Sequence, residues 1–145
     1  MDISVSELIP VLQIAIGPVV LISGIGLLIL SMTNRLGRVI DRGRSLAREM
    51  PELSAQLHKQ VKLQLVILFQ RARLLRSAIT FATLSVLLAA TLIIILFVTA
   101  VFQIENAWLI LILFISSMGS LIVSLIVFLL DVNQSLIAFK LDIGQ

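Results

Sequence analysis

Three runs without a charged residue, about residues 9–32, 77–102 and 107–130, divide the chain. About 20 apolar residues suffice to cross a bilayer as a helix, so each run predicts one transmembrane span. Between the first two runs the pattern becomes amphipathic. Over residues 33–50, Leu36, Val39, Ile40, Leu46, Ala47 and Met50 fall on one side of a helical wheel. Asn34, Arg35, Arg38, Asp41, Arg42, Arg44, Ser45 and Arg48 fall on the other. Over residues 51–76 a second stripe runs through Leu57, Val61, Leu65, Leu68, Ala72 and Leu75, with Lys59, Lys62, Gln70 and Arg73 off it. The expected fold is an all-α integral membrane protein, a single membrane domain over 1–145. It has three transmembrane helices and a helical, basic cytoplasmic extension between the first and second spans. Residues 131–145 are expected to form a short cytoplasmic tail, with Leu136, Phe139, Lys140 and Asp142 on an interfacial helix.

Local signals refine this outline. Pro18 removes a backbone donor inside the first span and predicts a kink near Ile14. Met50-Pro51 predicts the end of the first amphipathic helix, because the residue before proline avoids the α region. Pro51 and Glu52 then suit the first turn of the next helix. Nothing between Glu52 and Phe102 breaks that helix, which predicts one element of about 50 residues and roughly 75 Å. Gln103-Ile104-Glu105-Asn106 reads as a turn, and Trp108 as an aromatic anchor at the membrane edge.

Composition supports the membrane reading. The chain is 59% hydrophobic with mean hydropathy +1.15, and only 13% of its residues are charged, against about a quarter in soluble proteins. Ten of the eleven Lys and Arg lie between Arg35 and Arg76. By the positive-inside rule that segment is cytoplasmic, the N-terminus outside and the C-terminus inside. The expected location is the bacterial inner (plasma) membrane. The basic residues are thereby assigned to membrane topology, and no nucleic acid partner is expected. There is no cysteine, which excludes disulfides and thiolate chemistry.

Candidate chemistry centres on Asn34, Arg35, Arg38, Asp41, Arg42 and Arg44. Asp41 is three residues from both Arg38 and Arg44, and such exposed pairs are worth about 0.2–0.5 kcal/mol. Guanidinium groups so arrayed suit an anion or anionic lipid headgroups; the plainer use is to fix topology. In the first span, Gln13, Gly17, Gly24 and Ser31 form a seam beside Pro18 that Arg35, Arg38 and Arg42 continue. The seam suits helix packing, or a pore wall if several copies surround an axis. Ser116, Ser120 and Ser124, with Ser117 and Gly119 beside them, form a small-residue series for helix contact. Thr80, Thr83, Ser85, Thr91 and Thr99 are expected to bond to carbonyls of their own helix. His58 lacks the neighbours for a metal site. No phosphate-binding loop, zinc motif or nucleophile elbow occurs, so neither enzyme, metal nor cofactor is expected.

Ala15-Ile16-Gly17-Pro18, Thr33-Asn34-Arg35-Leu36-Gly37-Arg38 and Asp41-Arg42-Gly43-Arg44 resemble a bacterial membrane-protein family catalogued as domain of unknown function 2721. The order of spans, with a long basic loop after the first, is similar too. The resemblance implies a topology and marks Pro18 and the Arg/Asp run for testing; it implies no activity. Two functional expectations follow from the residues. The first is a multi-pass homo-oligomer acting as an ion channel, with arginines at its cytoplasmic mouth. The alternative is a membrane-anchored adaptor or scaffold whose basic helices bind a partner protein or anionic lipid.

Overall fold

The computed structural model describes residues 4–144, apart from the side chains of Leu141 and Asp142; Asp142 of the expected interfacial helix, and the chain ends at 1–3 and 145, lie outside that description. Three helices account for nearly all of it: α1 (Val5–Glu49), α2 (Ala55–Phe102) and α3 (Ala107–Ile143). All three are long and apolar enough to cross a membrane.

The helices ignore several boundaries that polarity suggests. α1 runs unbroken from the first apolar run into the arginine-rich stretch, with Pro10, Pro18 and Gly43 inside it. α3 likewise continues past Asp131 to Ile143 instead of giving way to a separate tail. A change from apolar to polar side chains alters what a helix faces, whereas its backbone bonds stay internal. α2 has 48 residues, the length expected, but it starts at Ala55 and not at Pro51. Met50–Glu52 forms a short 3-10 turn closed by Leu53 N–H donating to the Met50 carbonyl at 3.4 Å. Leu53 is extended (φ −90°, ψ 148°), and Ser54 opens α2 by accepting from His58 N–H at 2.9 Å. At the other end of α2, Gln103 takes a left-handed φ of 51° and Ile104 N–H reaches back to the Thr99 carbonyl at 3.2 Å. That is a Schellman-type stop, in which glycine is the usual left-handed residue.

Most buried positions repeat by sevens. In α2 they are Leu75, Ala78, Ala82, Ser85, Ala89 and Leu92, in α1 Ile25, Met32, Val39 and Leu46, and in α3 Ser117, Ser124 and Asp131; Ala15 of α1 is buried outside that register. A 3.5-residue repeat keeps one seam facing its partners along the helix. Small side chains at that seam allow close backbone approach.

The chain divides into two compact units, one comprising residues up to Ile29 with Phe81–Val123, the other Leu30–Thr80 with Ser124 onward. In the first unit α2 and α3 are joined by reciprocal serine bonds. Ser85 Oγ donates to the Ser117 carbonyl at 2.8 Å, and Ser117 Oγ to the Ser85 carbonyl at 2.9 Å. Ser120 Oγ donates to the Phe81 carbonyl at 2.7 Å. Thr80, Thr91 and Thr99 do bond within their own helix; Ser85 bonds across to α3, because it sits on the buried seam. In the second unit Ser124 Oγ donates to the Ala78 carbonyl at 2.6 Å.

Two predictions follow from these contacts. Replacing Gln103 with Gly removes the strain of a side chain in the left-handed region and should raise stability by about 1 kcal/mol; thermal unfolding in detergent checks it. Ser85→Ala and Ser117→Ala should each cost about 0.6–1.7 kcal/mol, the range for interhelical bonds in membranes, and the double variant should reveal coupling.

Candidate functional site: an arginine cleft built on Asp131

Asp131 occupies the α3 position seven residues after Ser124 and is fully buried, at 0% exposure. Arg35 of α1 donates from Nε to its Oδ2 at 2.7 Å, and Arg71 of α2 from Nε to its Oδ1 at 3.2 Å. Each carboxylate oxygen therefore takes one guanidinium, and all three helices meet at one side chain within the second unit. Both arginines keep some exposure, 25% and 16% of their side chains. The Arg35 guanidinium carbon also lies 5.7 Å from the centroid of the Phe128 ring, one turn before Asp131, within cation–π range. Aromatic face and carboxylate together fix its orientation.

Arg35, Arg38 and Arg42 follow one another at i, i+3 and i+7 and share a face of α1. With Arg71, Leu68 and Ser135 they line a cleft of about 320 Å³. Four arginines line it, two of them paired with the buried Asp131 behind, so the group carries a formal excess of three positive charges. Among the described residues Arg38 and Arg42 have no acidic partner, since both ion pairs belong to Asp131. Guanidinium groups present planar forks that match the oxygens of a phosphate or carboxylate. Such donors suit an oxyanion.

The arginine run thus divides. Arg35, Arg38 and Arg42 enter the cleft, whereas Arg44 lies beside Ile40, Gly43 and Ala47 in a separate groove. Asn34 and Asp41 are exposed, and among the described residues Asp41 pairs with neither Arg38 nor Arg44. A few tenths of a kcal/mol does not hold two exposed side chains in one geometry. Gln13, Gly17, Gly24 and Ser31 are all exposed while Pro18 is partly covered, and a methyl group added at Gly17 or Gly24 would meet nothing within 4 Å. The seam takes no part in packing within the chain. Of the α3 serines, Ser120 and Ser124 make the interhelical bonds described, but Ser116 faces outward and Ser117 takes its place. His58 Nδ1 lies 3.3 Å from the Met50 carbonyl, where it braces the 3-10 turn. No group of three or more metal-ligating side chains occurs among the described residues.

Sequence reasoning missed Asp131, read as the first position of the tail, and Arg71, which lies outside the candidate arginine run. For Asp131 a signal was present: it stands seven residues from Ser124 and fourteen from Ser117, in register with the serine seam.

The chain matches the family described as protein of unknown function (DUF2721) over residues 15–141, and it belongs to that family. No curated protein and no solved structure matches it.

Asp131→Asn leaves two guanidinium groups facing each other without a counter-charge. Breaking a fully buried pair costs about 3–5 kcal/mol; because both arginines can recover some solvent here, we expect about 2–3 kcal/mol. Unfolding of the variant in nanodiscs measures it, and Arg35→Gln combined with Asp131→Asn should cost less than the sum of the single changes.

Proposed function

We propose that this member of the DUF2721 family is an inner-membrane protein that holds a phosphate-bearing anionic lipid headgroup in the arginine cleft. Its N-terminus lies outside, and its basic helices and C-terminus lie in the cytoplasm. The observation that carries this reading is the position of the cleft relative to the apolar runs. At about 1.5 Å per residue, Arg35, Arg38 and Arg71 lie about 5–9 Å beyond the ends of those runs and Arg42 about 15 Å, so the cleft opens in the headgroup layer and extends past it. The headgroup layer occupies about 5–8 Å on each side of the hydrocarbon. Basic residues near an anionic leaflet contribute about 1 kcal/mol each without specificity. A cleft that fixes Arg35 and Arg71 by a buried carboxylate adds oriented, charge-assisted bonds at about 1.5–3 kcal/mol each. The protein is then an anchored adaptor or scaffold whose seat on the membrane depends on headgroup chemistry. It has no catalytic role in this reading.

Native mass spectrometry of the protein with phosphatidylglycerol against phosphatidylcholine tests it. Arg38→Glu with Arg42→Glu should lower retention of the anionic lipid about tenfold or more, while Arg44→Glu, outside the cleft, should lower it less than about threefold. Equal losses would reduce the arginines to topology determinants. Retention of inorganic phosphate in place of lipid would make the ligand a soluble anion.

The second reading, a homo-oligomeric channel, is supported by the outward exposure of Gln13, Gly17, Gly24 and Ser31. Several copies turning that seam to a common axis would place Arg38 and Arg42 near a mouth. In this reading the protein in nanodiscs has the mass of one closed oligomer, Gly24→Leu disrupts it without unfolding the chain, and Arg38→Glu alters ion selectivity in liposomes. A monomeric wild type removes the channel.

A further inference from the structure

In the second unit the α1–α2 pair has two sides. One is filled by α3, whose Asp131 sits between Arg35 and Arg71. The other is an open apolar groove of about 510 Å³, lined by Ile40, Gly43 and Ala47 of α1 and by Leu65, Val66 and Phe69 of α2. No described residue of α3 lines it. Phe69 is 70% exposed and Val66 50%, a large apolar surface for a stretch carrying many charges. Two cations stand at the groove, Arg44 from α1 and Lys62 from α2, and among the described residues no acid lines it.

The two sides are built alike. Arg44 lies nine residues after Arg35, and Lys62 nine residues before Arg71. Nine residues are about two and a half helical turns, which carries a side chain to the opposite face of its helix. Arg44 and Lys62 therefore both stand on the open side, one from each helix, as Arg35 and Arg71 stand on the filled side. The filled side shows what such a surface accepts: an apolar helix with one carboxylate directed at a cation from each wall.

We propose that the groove docks an amphipathic helix of a partner protein, with a single Asp or Glu beside its apolar stripe taking the place between Arg44 and Lys62 that Asp131 takes between Arg35 and Arg71. The lining covers Val39 to Ala47 and Lys62 to Ala72, about 12–15 Å, or two to three helical turns. That matches recognition through i, i+3, i+4 and i+7 anchors. Lipid is the poorer occupant. Arg44 and Lys62 lie about 18–22 Å beyond the apolar runs, outside a headgroup layer of about 5–8 Å. A second copy is the poorer protein partner. Its exposed acids near this level, Asp41 and Glu49, stand among Arg38, Arg42, Arg44 and Arg48, so two copies would oppose like charges.

The absence of cysteine allows a single reporter. Val66→Cys in the full chain, labelled with an environment-sensitive fluorophore and placed in nanodiscs, is titrated with a designed helical peptide of about 18 residues. The peptide carries leucine at i, i+3, i+4 and i+7 and one glutamate flanking that stripe. We expect a blue shift and saturable binding, weakened about tenfold when the glutamate becomes glutamine and further when it becomes lysine. Arg44→Glu with Lys62→Glu should reverse the order, so that the lysine peptide binds best. Equal binding of all three peptides overturns the proposal. So does quenching of the label by brominated lipid without peptide, which makes the occupant lipid, or energy transfer between labels on different copies, which makes it a second copy. The double variant leaves Arg35, Arg38, Arg42 and Arg71 intact, so failure here is separable from failure of the headgroup reading.

Discussion

A carboxylate removed from water costs several kcal/mol unless its charge is answered at close range. Asp131 has no exposed surface and is answered twice, by Arg35 and Arg71 on different helices. The dependence is mutual. Without Asp131 the two guanidinium groups could not share so small a space, and without both of them the carboxylate could not stay buried at that α3 position. One acidic side chain thus sets which face of α3 meets α1 and α2 in the second unit. Arg35 and Arg71 then form a fixed wall, against which Arg38 and Arg42 complete a cationic cleft.

The serine seam performs the neutral version of the same task. Where α2 and α3 meet away from the charges, hydroxyls reach carbonyls of the opposite helix at 2.6–2.9 Å. Each hydroxyl has one hydrogen, so Ser85 and Ser117, each donating to a carbonyl, do not also bond hydroxyl to hydroxyl. These bonds specify register, because sliding one helix past the other would break all of them together. Alanine at positions 78, 82 and 89 keeps the backbones near enough for such short side chains to reach.

The charged stretch carries two kinds of cationic surface on opposite sides of one helix pair. The side completed by α3 lies near the ends of the apolar runs and is polar. The open side lies farther along the helices and is apolar with a cationic edge. The occupants proposed for them, a headgroup and a partner helix, would both use the pairing of a guanidinium or ammonium with an oxyanion. Such pairings steer recognition through charge complementarity more than through buried area.

Much of this protein was legible in the order of its residues. Three long uncharged runs, the turn at Gln103–Asn106, the break at Met50-Pro51 and the absence of any breaker between Ala55 and Phe102 determine three long helices, because these are local matters of hydropathy and backbone chemistry. The stripe from Leu57 to Leu75 reaches the buried seam of α2 only at its end: Leu75 is buried, Leu65, Leu68 and Ala72 line the open groove, and Leu57 is exposed. What lay beyond reach was which residues meet. Asp131 is 96 positions from Arg35 and 60 from Arg71, and a helical wheel holds no information about a partner on another helix. The same limit explains why Ser117 and not Ser116 is buried, why Arg44 parts from its neighbours, and why the glycine seam of α1 stays exposed. Local sequence decides that a helix forms and which faces it could bury; only the packing of three helices decides which face each one does bury.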